Sequence, residues 1–286
     1  ILCLVSVGQI KAQSGSFTFG AAGDYAIGDA FKSLVKEVKN QNPDFQIGLG
    51  DFSYSSTGEV NWCKEWTLTN NYKNILLIAG NHDTGESSGG NINEYIQNCP
   101  YALSASMTGT YGKQYYFDYP LSSPYARFIL ITPGLGGSNI GISTSYAAGT
   151  AGYNFVSSAI DSARARGIKW IIVGMHKNYI STLEKSNELG SDLIPMLIDK
   201  KVDLILQGHE HGYERSKQLS QNSSTCTKLP TGSYNANCVV DSDNSMVKGA
   251  GTIIHVIGTG GKTLRSLSTS DSEYNYFAKA DNKTYG

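Results

Sequence analysis

Five short apolar runs in this chain each end on side chains that can ligate a metal. "AAGDY" supplies Asp24, "GLGDFSY" supplies Asp51 and Tyr54, "IAGNHD" supplies Asn81 and His82, "VGMH" supplies His176, and "LQGHEH" carries His209 and His211. Carboxylate and phenolate oxygens suit a hard ion of high charge, whereas a mixed nitrogen and oxygen set suits Zn, Fe(II) or Mn. Taken singly, each residue has a plainer use. Asp24 and Asp51 fit helix caps, Asn81 fits a turn, His82 and His176 fit hydrogen-bonded core positions, and Tyr54 fits packing. The His209 and His211 pair by itself leaves open a zinc site, a core pair or chance.

Shared position separates these residues from their plainer uses. In open α/β sheets the carboxyl ends of the strands open on one crevice, so five such ends can bring their side chains together. A glycine precedes Asp24, Asp51, Asn81 and His209, and is expected to let the chain turn sharply and approach closely.

The elements that must hold these ends are legible as nearly continuous apolar runs, the pattern of strands covered on both faces. They lie at 17–22, 45–50, 75–80, 128–132, 170–175, 202–208 and 252–258. Helical periodicity falls between them over Ala30 to Lys39, Tyr153 to Arg166 and Leu193 to Lys200, with Pro195 tolerable in a first turn. Alternating strands and helices predict a layered α/β or αββα fold. With no internal repeat or long linker, residues 13–286 read as one catalytic domain. The Gly, Ser, Thr and Asn rich stretches 84–91, 134–151 and 220–249 are expected as surface loops over one rim.

A formal net charge of -1 over 286 residues gives no global field toward nucleic acid or an anionic membrane, so any phosphate affinity must be local. Charged residues are 16% of the chain, below the roughly 25% of an average soluble protein. Ser, Thr, Asn, Gly and tyrosine take up the polar work, as suits a secreted or extracellular protein, periplasmic and cell-surface locations included. Residues 1–12, "ILCLVSVGQIKA", read as a signal-peptide remnant cleaved after Ala12. The alternatives are a first strand or a short anchor, but the run is too short to span a bilayer. Without Cys3, the cysteines Cys63, Cys99, Cys226 and Cys238 permit three pairings. Local loops favour Cys63 with Cys99 and Cys226 with Cys238. Asn222 and Asn282 open glycosylation triplets.

The ordered set Gly-Asp, Gly-Asp, Gly-Asn-His and Gly-His-x-His resembles the metallophosphoesterase (calcineurin-like phosphoesterase) superfamily. Tyr54, three residues after Asp51, and the block "GHEHGYERS" make the chain similar to the purple acid phosphatase branch. The similarity runs from about residue 17 to 262 and includes "VIGTGG". It implies a four-layer αββα sandwich, with the C-terminal edge truncated and the last strands lacking. It also implies that Asp24, Asp51, Tyr54 and His211 hold Fe(III), while Asp51, Asn81, His176 and His209 hold a second, divalent ion (Zn, Fe or Mn), with Asp51 bridging.

The implied reaction is in-line attack by a metal-bound hydroxide on a small-molecule phosphate ester, releasing inorganic phosphate. His82 would steady the phosphoryl oxygens or protonate the leaving alcohol. Asp83 either orients His82 through its other N–H or is a plain loop carboxylate. Glu210 is structural in this reading, Glu214 and Arg215 form an ion pair or brace the loop, and His255 is a core residue. No nucleic-acid partner is implied, nor a membrane once the signal is cleaved, and the sequence assigns no oligomeric state.

Two departures stand out. The branch often carries a further histidine after the strand-end one, but "MHKNYISTLEKSNELG" has none; Lys177, Tyr179 or Lys185 is the expected substitute contact to phosphate. After "FILIT" the family often has an acidic residue, whereas this chain has Thr132-Pro133 and a glycine-rich loop, which implies a rebuilt rim. The leading expectation is a secreted phosphomonoesterase. The alternatives are a phosphodiesterase or nucleotidase on the same centre and a non-catalytic surface phosphate-binding protein.

Overall fold

The computed structural model describes residues 16–86, 89–243 and 245–286. The expected signal remnant at 1–12 lies outside the described residues. Strand β1 (Phe19–Ala22), helix α1 (Asp29–Gln41), β2 (Phe45–Gly48), α2 (Glu59–Lys64), β3 (Ile75–Leu77) and α3 (Ile92–Asn98) form the first half of the chain's elements. β4 (Met107–Thr110), β5 (Gln114–Tyr119), β6 (Ala126–Ile131), α4 (Ala151–Ala165), β7 (Trp170–Met175), α5 (Leu193–Asp199) and β8 (Leu204–Gln207) follow. β9 (Tyr213–Ser216), β10 (Gln218–Leu219), β11 (Val239–Asp241), β12 (Ile253–Ile257) and β13 (Phe277–Asp281) complete the order.

All the apolar runs read as strands are strands, and the expected helices α1, α4 and α5 lie within two residues of their read bounds. β1, β2 and β3 make a parallel three-stranded sheet. A second sheet has eight strands in the order β13-β9-β12-β8-β7-β6-β5-β4, parallel through β12, β8, β7 and β6 and antiparallel at both edges.

The two sheets face each other across aromatic side chains. The Phe45 ring of β2 lies 5.0 Å from Phe128 of β6 and 5.6 Å from Phe117 of β5. On the near side α1 buries Phe31, Leu34 and Val35 in the same core. On the far side α4 sets Val156, Ala159 and Ile160, and α5 sets Leu193 and Leu197, in a second core with Ile129, Ile131 and Val173. The result is the αββα sandwich that the resemblance implies.

The strands that sequence reading passed over lie at the sheet edges. β4 and β5 come from a tyrosine-rich hairpin, and two of its buried hydroxyls satisfy carbonyls of β3, Tyr115 to Leu77 O (2.9 Å) and Tyr111 to Ile75 O (3.3 Å). This covers strand oxygens that would otherwise be orphaned beneath the core. Both local disulfides form, Cys63–Cys99 joining α2 to the end of α3 and Cys226–Cys238 closing the loop before β11. The stretch 220–249, read as loop, carries that second disulfide and β11, which pairs with β10.

Because β1, β2 and β3 run parallel, as do β7 and β8, their carboxyl ends share one rim within each sheet. Backbone bonds stitch the two rims together: Gly23 N–H donates to Ile257 O (2.8 Å), Gly260 N–H to Gly23 O (2.8 Å), and Lys262 N–H to Asp24 O (2.9 Å).

Candidate metal centre

At this rim the chain reverses on the ligand-type residues themselves. Asp24 (φ 59°), Asp51 (φ 54°), Tyr54 (φ 53°) and His209 (φ 70°) all occupy the left-handed region, which is uncommon for residues with a Cβ and clusters at functional sites. The glycines before Asp24, Asp51, Asn81 and His209 serve mainly the close approach expected of them and less the sharp turn expected with it. A Cβ on Gly80 would collide with Asp51 Oδ1, and one on Gly208 would lie 2.9 Å from Asp24 Oδ2. Only Gly50 among these glycines has a positive φ.

The side chains converge as two groups. In the first, the Tyr54 hydroxyl lies 2.9 Å from Asp24 Oδ1 and 3.1 Å from His211 Nε2, and His211 Nε2 is 3.4 Å from Asp24 Oδ1. In the second, His176 Nε2 lies 3.1 Å from Asn81 Oδ1, 3.2 Å from His209 Nδ1 and 3.3 Å from Asp51 Oδ1. The Asp51, His176 and His209 donor atoms all fall within 4.8 Å of one another. The Asp51 charge also acts on the Tyr54 hydroxyl and on Asp24, so its carboxylate lies between the two groups electrostatically while its contact is with His176.

Each of the three histidines has its outward nitrogen engaged. His176 Nδ1 donates to Leu49 O (2.7 Å), His211 Nδ1 to Thr263 O (2.9 Å), and His209 Nε2 lies 3.2 Å from Glu188 Oε1. A proton held on the outer nitrogen leaves the inner lone pair free for a metal. The donor chemistry fits two ions: two oxygens and an imidazole on one side, an amide oxygen and two imidazoles on the other, with a carboxylate between.

The electrostatics demand positive charge. Asp24 and Asp51 are buried, and among the described residues their ion-pair partners are His211 and His176. Burial works to raise the Asp51 carboxyl, but the His176 charge and hydrogen bond outweigh it and hold it well below the usual carboxylate range. Burial also opposes Asp24, whose carboxyl is nonetheless lowered by the His211 hydrogen bond and the His176 charge. His176, which burial would make less basic, is raised to about 9 by Asp51. His209 is lowered to about 4 by burial and then by His176. The Tyr54 hydroxyl is pushed far above its ordinary range by burial and by Asp24 and Asp51. Its phenolate therefore forms only against a strong cation, which is the setting a hard ion between the carboxylates provides.

All seven expected ligands are brought into this cluster. His82 is fixed beside it, its backbone N–H donating to Asp51 Oδ1 (2.8 Å) and its ring 4.5 Å from the Tyr54 ring. Asp83 does not hold His82. Its carboxylate accepts the N–H groups of Asp51 (2.7 Å), Gly80 (2.8 Å) and Phe52 (3.1 Å), so it clamps the Asp51 turn instead. Burial, then the Asp51 charge, pushes Asp83 up to about 7.

Glu210 is fully buried and structural, accepting from Glu184 N–H (2.9 Å) and pairing with Arg265 (3.0 Å). Glu214 is the bracing member of its pair, taking Ser181 Oγ (2.6 Å) and Thr182 N–H (2.8 Å). His255 sits in β12 against Tyr213, away from the cluster.

Two of the substitute phosphate contacts are committed elsewhere. Lys177 pairs with Glu188, and Tyr179 is buried with its hydroxyl on Leu229 O (3.0 Å). Lys185 lines a separate pocket with Asp271 and Glu273. Sequence reasoning missed Glu188, Lys262, whose ammonium lies 4.1 Å over the Tyr54 ring, and Arg265, which donates to His209 O (2.8 Å). The charge in "ELG" and "GKTLR" was visible, but nothing local pointed it at the histidines.

The family model of calcineurin-like phosphoesterases matches residues 21–213, and the chain belongs to that family. Within it, the similarity runs to the purple acid phosphatase branch. A purple acid phosphatase of Glycine max is 23% identical over 278 residues, covering 90% of this chain and 53% of its own length. An uncharacterised protein of Mycobacterium tuberculosis is 28% identical over 266 residues, covering 82% of this chain and 45% of its own. The structure of a purple acid phosphatase from yellow lupin (Lupinus luteus) seeds has the same fold, with TM-score 0.67 at 16% identity over 94% of this chain and 48% of that one. The chain thus spans about half the length of these relatives.

Proposed function

We propose that this chain is a dimetal phosphomonoesterase of the purple acid phosphatase type, acting outside the cytoplasm on small organic phosphate esters. The observation that carries the reading is the convergence of two donor groups at one rim, Asp24, Tyr54 and His211 in one and Asn81, His176 and His209 in the other, with Asp51 in contact with the second. Asp24, Asp51, Tyr54 and His211 would hold Fe(III); Asp51, Asn81, His176 and His209 would hold the divalent ion, Zn, Fe or Mn. Such a pair of ions, when bound, neutralises phosphate charge and acidifies water.

The protein's own part is positioning. Asp51 fixes the separation of the two donor groups while its Oδ1 holds the His82 backbone. His82 is half-buried against Tyr54, and in this reading its imidazole steadies a phosphoryl oxygen or protonates the leaving alcohol. The two disulfides support an extracytoplasmic location.

Turnover of p-nitrophenyl phosphate against bis(p-nitrophenyl) phosphate tests the reading. Hydrolysis of the monoester by the wild type, lost in Asp51→Asn, is expected; preference for the diester would move the assignment to a phosphodiesterase, and full activity of Asp51→Asn would remove the bridging role.

A further inference from the structure

The segment between β7 and α5 straps across the "GHEH" turn. Glu214 of β9 holds its Ser181 and Thr182, Glu210 holds the Glu184 N–H, and Glu188 reaches the His209 ring. Glu188 therefore sits on a segment pinned at two earlier points, with its own second oxygen paired to Lys177. Lys177 directly follows His176. One carboxylate thus links the imidazole of His209 to the residue next to His176, and these two histidines face each other at 3.2 Å through His209 Nδ1 and His176 Nε2.

We propose that Glu188 is a positioning residue for His209: it accepts the Nε2–H, fixes the tautomer with the Nδ1 lone pair turned inward, and so sets the affinity of the divalent site. The inference rests on the dimetal reading above. A neutral imidazole presents a lone pair at one nitrogen only when the proton is kept on the other, and carboxylates that keep it there change metal affinity by about ten- to a hundredfold. Lys177 serves by holding Glu188 in place, which is why the lysine that sequence reading offered to phosphate is not free for it. The backbone carbonyls on the outer nitrogens of His176 and His211 do the same for those rings, so His209 alone among the three depends on a side chain for its orientation.

The test is Zn2+ titration of the iron-loaded protein against a chromogenic chelator, for wild type, Glu188→Ala, Glu188→Gln and Lys177→Met, with thermal melts and the visible band recorded for each. The account expects Glu188→Ala to weaken Zn2+ by about ten- to a hundredfold, with the iron-linked absorption and the melting temperature of the metal-free chain unchanged. Glu188→Gln, which keeps an acceptor oxygen, restores most of the affinity, and Lys177→Met shows a smaller loss in the same direction. Wild-type Zn2+ affinity in Glu188→Ala, or an equal loss in Glu188→Gln, overturns the positioning role while leaving the dimetal reading intact. A wild type that takes up iron but no Zn2+, Mn2+ or Fe2+ overturns both.

Discussion

The Asp83 carboxylate accepts the backbone N–H of Asp51 at 2.7 Å, and Asp51 in turn accepts the backbone N–H of His82 at 2.8 Å. The turns after β2 and β3 are thereby locked by two aspartates, each holding the other's loop. Both carboxylates are buried, so the lock has no water to fall back on.

Replacing Asp83 by Ala leaves the N–H groups of Asp51, Phe52 and Gly80 without their acceptor. Each such buried donor costs about 1–3 kcal/mol, so Asp83→Ala is expected to lower the unfolding free energy by at least that amount and to reduce the metal retained after dialysis. Chemical denaturation and metal analysis of the same preparation check it; unchanged values in both would show that the clamp is dispensable.

Arg265 is the second place where the site leans on residues outside its ligands. Its guanidinium pairs with the fully buried Glu210 and donates to His209 O, while its N–H donates to His211 O. Removing one partner of a buried ion pair costs about 3–5 kcal/mol because the other charge is stranded. The Arg265 side chain is 18% exposed and partly solvated, so Arg265→Leu is expected to lose less than that, and Arg265→Leu with Glu210→Leu to recover part of it, as a double-mutant cycle in denaturant would measure. Additive losses would mean that the two side chains act independently.

The ligand cluster was legible in the sequence for a physical reason: each donor lies within a few residues of the end of an apolar run, and parallel strands deliver such ends to one rim. Asp24, Asp51, Tyr54, Asn81, His176, His209 and His211 could be named on that ground. Asp83 was read either as orienting its neighbour His82 or as a plain loop carboxylate, whereas its partners lie 31 and 32 residues away in the Asp51 turn. Glu188 and Arg265 were missed likewise, since their contacts to His209 and Glu210 cross 21 and 55 residues of chain. In the fold, the buried runs β2, β6, β7 and β8 were readable by hydrophobicity. The outer strands β4, β5, β9 and β13 were not, because β4 is Met-Thr-Gly-Thr and tyrosines and charged residues take the place of Val and Ile in the other three, and their pairing comes from the sheet they join.

Glu214 gives the fold a pH dependence separate from the ligands. Burial, opposed by the Ser181 and Thr182 hydrogen bonds, pushes its carboxyl from an ordinary 4.5 up to about 7. Between those values the folded chain holds a proton that the unfolded chain has released, so this group's contribution is full below about 4.5 and is lost as pH rises toward 7. Melting temperatures of the metal-free protein should therefore fall for wild type relative to Glu214→Gln as pH is raised across that window. A constant difference between the two would contradict the shift.

The most direct test of the central claim is metal analysis of the oxidised wild-type protein together with its visible spectrum. Two ions per chain, one of them iron, with a purple absorption band that disappears in Tyr54→Phe, is the predicted result. A colourless oxidised protein containing only zinc or manganese would contradict the assignment of Tyr54, Asp24 and His211 to Fe(III).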